Sequence, residues 1–216
     1  VLYMTQYLLL DPILSSSVLG YSAIESFLTT LFGPLSVIGV SSQIYGLYTG
    51  LVYFTPFLGG LLADRYLGKT NAVYAGSILM AAGHFLMAFE SLFLIALVFL
   101  IMGNGLFKPN LTAQVGSLYQ PGDQRVDSAY TIYYMGVNLG AFFSPIVCGT
   151  LGQTVGWHYG FGAAGIGMLI GTLVYWRGSR HLPYKIYCTS LRVKTDPLSF
   201  SCDPISLKSG SLYAMQ

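Results

Sequence analysis

Charge is what this sequence has least of. Charged residues make up 8% of its 216 residues, where an average soluble domain carries about 25%. A soluble chain of this size needs far more to cover its surface. Basic runs are missing too. Ten Lys and Arg against eight Asp and Glu leave a net charge of only +2, with no stretch able to neutralise a row of phosphates, so a nucleic-acid partner is excluded. Cysteine is scarce. The three present are widely spaced and form no CxxC pair, so neither a disulfide framework nor a zinc site is signalled. No Ser/His/Asp or Cys/His constellation stands out, and nothing argues for hydrolytic or redox catalysis. The chain is not read as an enzyme, and no metal or organic cofactor is expected. Apolar residues are abundant instead, at 54%, with a mean hydropathy of +0.62. Disorder is therefore excluded as well, and the chain reads as an all-α integral membrane protein.

The apolar segment at Val1 has no basic region before it and does not resemble a signal peptide. It is too short to span a bilayer, which takes about 20 residues, and reads as the second half of a helix. Five long apolar runs follow, at about 41–62, 72–89, 92–119, 128–151 and 159–176. Residues 11–40 hold Pro12 and Pro34 and read as a surface loop with a short helix. Residues 1–182 thus form one transmembrane helical unit of a stub and five spans. Residues 183–216, with Pro183, Pro197, Pro204 and scattered serines, read as a polar cytoplasmic tail without a fold of its own, or as non-native sequence.

Lys and Arg fall in alternate connections. Arg65 and Lys69 lie in one, Arg125 in a second, and Arg177 and Arg180 follow the last span. The connections between these hold none, and Lys108 is the one exception. By the positive-inside rule, Arg65, Arg125 and Arg177 are cytoplasmic and residues 11–40 are outside. The stub then runs outward, and the expected start of its helix is cytoplasmic.

Lys108 lies inside an apolar run. At 1.5 Å per residue it is about 17 Å from Tyr119 at the cytoplasmic end. An ammonium at such depth costs about 2.5–3.5 kcal/mol on insertion scales and usually faces a cavity or a partner. The alternative is a lysine that snorkels to the interface. Asn138 is about 15 Å from Ser128, and Tyr53 about 14 Å from Leu62. An ammonium, an amide and a phenol therefore share one depth on three spans, as a polar site near the midplane requires. Interhelical packing is the alternative for Asn138 and Tyr53. No Asp or Glu sits at comparable depth, so Lys108 lacks a carboxylate partner. His84 reads as a satisfied core histidine. Gly136 with Gly140, and Gly167 with Gly171, have the spacing of close helix packing.

Three motifs mislead. Gly160, Gly162 and Gly165 match G-x-G-x-x-G, but no strand precedes them and no acidic residue follows at the needed distance. Gly68-Lys69-Thr70 falls short of a phosphate loop because Ala63 occupies the first glycine position. Asn110-Leu-Thr112 is a formal glycosylation sequon that the topology puts at the cytoplasmic side or in the membrane.

The segment Gly60-Leu-Leu-Ala-Asp64-Arg65-Tyr-Leu-Gly68-Lys69 resembles the loop motif of the major facilitator superfamily. Three further stretches resemble the proton-dependent oligopeptide transporter (POT) family. They are Ile44-Tyr-Gly-Leu-Tyr-Thr-Gly-Leu-Val-Tyr53-Phe-Thr-Pro56, Gly103-Asn-Gly-Leu-Phe-Lys108-Pro-Asn110 and Asp127-Ser-Ala-Tyr-Thr-Ile-Tyr-Tyr134-Met-Gly-Val-Asn138-Leu-Gly140. The resemblance covers residues 1–182. It implies the N-terminal six-helix half of a major facilitator fold with its first helix truncated, and Gly46, where animal members carry histidine, implies a bacterial type.

The resemblance also implies roles. Lys108 would take part in proton coupling and contact the peptide carboxyl end. Asn138 would contact the peptide backbone, and Tyr53 and Tyr134 would line the pocket. Gly60, Asp64, Arg65, Gly68 and Lys69 would form the loop that stabilises one conformation during alternating access. The family's E-x-x-E-R segment has no match here, so the carboxylates expected to pair with Lys108 lie outside this sequence, as does the C-terminal helical half. The expected function is proton-coupled symport of di- or tripeptides, as part of a longer multi-pass transporter of the plasma (inner) membrane. Its expected partners are the peptide, the lipid bilayer and the missing half. The alternatives are a truncated fragment that transports nothing, and a major facilitator transporter for drugs or sugars.

Overall fold

Side-chain caps open two of the helices. The computed structural model of the chain describes residues 1–182 apart from Pro121, His181 and the side chain of Pro12. The expected tail 183–216 lies outside the described residues. Asp11 accepts a 2.9 Å hydrogen bond from the Ile13 amide and opens α1, Pro12–Ser17, with proline at its first position. Helix α2, Tyr21–Phe32, stops at Gly33. The connection 11–40 therefore holds two helices where one was expected. Ser36 then accepts from the Gly39 amide at 3.2 Å and opens α3, Val37–Leu62. A π-helical turn, Ala63–Leu67, continues α3 to Gly68. There φ is +77°, a conformation that suits glycine, and α4, Lys69–Leu86, begins.

A single 3-10 turn, Glu90–Leu92, leads into α5, Phe93–Ser117. Helix α6, Arg125–Ser144, runs through a π-helical turn at Pro145–Gly149 into α7, Thr150–Thr154. Helix α8 is Trp157–Ser179. The described residues are all helix and turn. Before α1, a π-helical turn at Met4–Leu8 stands where the second half of a first helix was expected.

Four helical stretches among the described residues are long and apolar enough to cross a membrane: Val37–Leu67, Glu90–Ser117, Arg125–Thr154 and Trp157–Ser179. Helix α4 is not among them, although a span was expected at 72–89. Its 18 residues are enough for a span of about 27 Å rise, so its polarity sets it apart. It carries Lys69, Asn71, Ser77 and His84. It tolerates them because it lies inside the bundle, against α5 and α8, with Ala72, Val73, Gly76, Ser77 and Ala81 buried.

Two ends of the bundle are tied differently. At one end the Tyr3 ring meets Phe93, Trp157 and Phe161 at 5.0–5.5 Å between centroids. Met4, Leu8, Val18, Leu28 and Ile44 are buried with it. Here Tyr7 donates to Glu90 Oε1 at 2.6 Å, and His158 Nε2 lies 3.8 Å from the same carboxylate. At the other end Tyr175 donates to Gln114 Oε1 at 2.9 Å, and the Tyr74 and Ser179 hydroxyls are 2.7 Å apart.

The close helix crossings are not where the sequence spacing put them. A Cβ on Gly136, Gly140, Gly167 or Gly171 would meet nothing within 4 Å, because these residues lie on bare faces of α6 and α8. Backbone approach occurs instead between α4 and α5, where a Cβ on Gly76 would stand 2.7 Å from the Gly103 carbonyl oxygen, and between α3 and α5, where a Cβ on Gly59 would stand 2.1 Å from the Gly105 carbonyl oxygen.

Candidate functional site

The site is built on the α3–α5 crossing. Both helices contain a proline in their C-terminal halves, Pro56 in α3 and Pro109 in α5. Thr55 donates to the Ile101 carbonyl and Asn104 donates to the Val52 carbonyl, each at 3.1 Å. These bonds and the Gly59–Gly105 contact lock the two helices side by side. On the exposed flank of the crossing, Lys108 Nζ sits 5.4 Å from the centre of the Tyr53 ring. An ammonium over a tyrosine face is attracted by the ring quadrupole, by about 0.5–1 kcal/mol where exposed and about 2 kcal/mol or more where desolvated. Among the described residues, Lys108 has no ion pair.

Asn138 and Tyr134 are held apart from that pair. The Asn138 amide donates back to the Tyr134 carbonyl of its own helix at 2.9 Å. The Tyr134 ring packs edge-on against Tyr133 at 5.3 Å. Both residues are exposed on α6, which buries no residue of its own among those described. Ile132, Met135, Leu139 and Phe142 surround Asn138 in an open apolar hollow made by this one helix. Helix α6 is tied to α5 near the Ser117 end, where Thr112 Oγ1 meets the Tyr133 hydroxyl at 3.2 Å and Tyr130 donates to the Thr112 carbonyl at 3.4 Å. The structure thus brings Lys108 and Tyr53 together and leaves Asn138 and Tyr134 on a neighbouring helix, facing open space.

The loop-motif residues sit at the turn between α3 and α4. Gly60 lies beside Pro109, 3.9 Å from an added Cβ to the proline Cβ. Asp64 and Arg65 are exposed in the π-helical turn, Arg65 stacks 5.6 Å from the Tyr66 ring centre, and Gly68 supplies the reversal before Lys69. Beyond α5, Asp123 and Arg125 form an exposed pair at 2.8 Å. The hydrogen bond from the Arg125 guanidinium holds the Asp123 carboxyl below the usual carboxylate range. His84 is not the satisfied core histidine expected, since its buried Nδ1 finds no hydrogen-bond partner. Among the described residues no group of three His, Cys, Asp or Glu side chains could hold a metal ion.

Sequence reasoning missed Asn104 and Glu90. Asn104 could have been found as the one strong side-chain donor a turn before Lys108. Glu90 could have been found as the lone carboxylate between two spans.

Comparison with known proteins places the chain. A model of the POT family matches residues 70–195. The peptide transporter YePEPT of Yersinia enterocolitica is 46% identical over 140 residues, covering 62% of this chain and 27% of that protein. A di-/tripeptide transporter of Lactococcus lactis is 41% identical over 145 residues, covering 65% and 29%. The crystal structure of a peptide transporter POT in complex with sulfate superposes with a TM-score of 0.65 at 35% identity, covering 76% of this chain and 35% of the other. The chain spans less than a third of the length of these two curated relatives. Such proteins are multi-pass membrane transporters of the major facilitator fold and not enzymes. The all-helical architecture, the membrane-length helices and the match over more than half of its residues agree, and the chain belongs to the POT family.

Proposed function

We propose that these residues form part of a proton-coupled symporter of di- and tripeptides that works by alternating access in the plasma (inner) membrane. The observation that carries this reading is Lys108, an ammonium far inside a membrane-length helix, held over the Tyr53 ring with no carboxylate partner among the described residues. A charge at that depth is costly and usually marks a substrate or ion pathway. The carboxyl end of a short peptide supplies the missing negative charge. The Asn138 amide, facing open space on α6, suits a peptide backbone group. The second wall of the pocket falls in the part of the relatives that this chain does not match. A protonatable carboxylate in that part would pair with Lys108, release it on protonation and so bias the conformational equilibrium.

The test is uptake of a labelled dipeptide under an imposed inward proton gradient, in cells producing these residues fused to the unmatched remainder of the Lactococcus relative. Lys108→Ala should abolish gradient-driven uptake while the protein still reaches the membrane. Uptake that stays stimulated by acid outside refutes the role of Lys108. Competition by dipeptides and not by sugars separates this reading from another major facilitator substrate. A second reading is favoured by the short span of the relatives that is matched: these 216 residues alone transport nothing. Dipeptide uptake by liposomes holding only this chain would overturn it.

A further inference from the structure

The α3–α5 crossing contains a donor and an acceptor that the transport reading does not use. Proline has no amide hydrogen, so Pro56 cannot supply the bond that the Val52 carbonyl would receive in an unbroken helix. The Asn104 side chain of α5 donates to that carbonyl at 3.1 Å. Pro109 releases the Gly105 carbonyl of α5 in the same way. That oxygen points at α3, where a Cβ on Gly59 would lie 2.1 Å from it, so the Gly59 Cα is in direct contact. Each helix therefore turns its proline-freed carbonyl toward the other. Thr55, one residue before Pro56, completes the set by donating to Ile101.

The positions matter for the charged pair. Val52 immediately precedes Tyr53, and Asn104 lies one turn before Lys108 on the same side of α5. A bond from residue 104 to residue 52 fixes how α3 is rotated against α5. That rotation decides whether the Tyr53 ring lies under the Lys108 ammonium, as it does at 5.4 Å. We propose that Asn104 is a positioning residue for the Lys108–Tyr53 pair, acting by donating its amide to the carbonyl that Pro56 releases. An apolar residue of the same size would fill the space and leave the rotation unset. The purpose of the pair rests on the transport reading, whereas the clamp does not.

The experiment uses the 216-residue chain in lipid nanodiscs with its lysines ¹³C-dimethylated. The Lys108 methyl resonance is the one lost in Lys108→Arg. Tyr53→Leu removes the ring and so defines the unshifted position. In the wild type, the ring face displaces the resonance upfield. Asn104→Leu is expected to lose most of that displacement, and Asn104→Ala replaces it where the leucine variant does not insert. In a Pro56→Ala background, residue 56 regains its amide and serves Val52 itself, so Asn104→Leu should then change little. A wild-type displacement in Asn104→Leu overturns the proposal. So does an equal loss in both backgrounds, which is the signature of packing alone. If Pro56→Ala by itself abolishes the displacement, the ¹³C carbonyl resonance of Val52 decides. It moves on Asn104→Leu if the bond holds the pair, and an unmoved carbonyl overturns the proposal. None of these readouts involves uptake. A normal Lys108→Ala transporter alongside a clear Asn104–Pro56 coupling would sink the proposed function and leave the clamp standing.

Discussion

Gly59→Ala tests the α3–α5 crossing most directly. The added methyl would stand 2.1 Å from the Gly105 oxygen and 2.5 Å from its carbonyl carbon, both backbone atoms that cannot swing aside. Restoring ordinary contact requires the helices to part by about 1.3 Å. The Thr55–Ile101 and Asn104–Val52 bonds are 3.1 Å long and would stretch beyond the usual hydrogen-bond range. Overpacking costs about 1–3 kcal/mol, and interhelical bonds in membranes are worth about 0.6 kcal/mol each. The expected loss is about 2–4 kcal/mol relative to Gly167→Ala. That control gains the same helix propensity, and its methyl meets nothing within 4 Å. SDS titration of the chain in mixed micelles, followed by the fluorescence of Trp157 and Trp176, reads the difference. A Gly59→Ala curve lying on that of Gly167→Ala would show that the crossing is looser than described and would refute the reasoning.

Two further predictions concern the ends of the bundle. Tyr7→Phe removes the 2.6 Å bond to Glu90, a loss of about 1.5–3 kcal/mol if the carboxylate is charged. Hydrogen exchange should accelerate over Met4–Leu8, and unchanged exchange there would show that the aromatic contacts of Tyr3 hold this turn unaided. Asp123 has its carboxyl held below the usual range by Arg125. The pairing is therefore complete above the ordinary carboxylate pKa of about 3.9 and is lost as pH falls through the depressed value of the folded chain. A ¹³C carboxyl titration should move upward in Arg125→Ala, and an unmoved midpoint would count against the pair.

Much of this could be read from the sequence, and the rest failed for identifiable reasons. The long apolar runs overlap α3, α5, α6 and α8, which are apolar enough to cross a membrane, whereas the run at 72–89 overlaps the more polar α4 and the two short helices in 11–40 had no such run to mark them. Counting rise per residue put Lys108 and Tyr53 at one depth, and the structure joins them. The same arithmetic put Asn138 there too, but depth says nothing about rotation. Helix α6 carries Asp127, Thr131 and Asn138 along one side, but such a stripe does not say which neighbour, if any, it faces. The close crossings were misread for a related reason. Spacing within one helix says that small residues share a face, not that another helix arrives. Gly59 and Gly105 can meet because neither has a Cβ, a relation visible only once α3 and α5 are known to be neighbours.

Helix α6 behaves as a beam supported at its two ends. Tyr130 and Tyr133 rest on Thr112 at one end. At the other, the Pro145–Thr154 segment rests on the start of α8, where an added Cβ on Gly160 would stand 2.5 Å from the Cys148 carbonyl oxygen. The middle, with Asn138, carries nothing. Thr112 is itself bonded to the Lys108 carbonyl at 2.9 Å. A load applied at mid-beam, as by a molecule gripping Asn138, is therefore delivered at one support to the helical turn that carries the Lys108 ammonium. At the other support it is delivered to α8. The two polar groups need not touch to be mechanically connected.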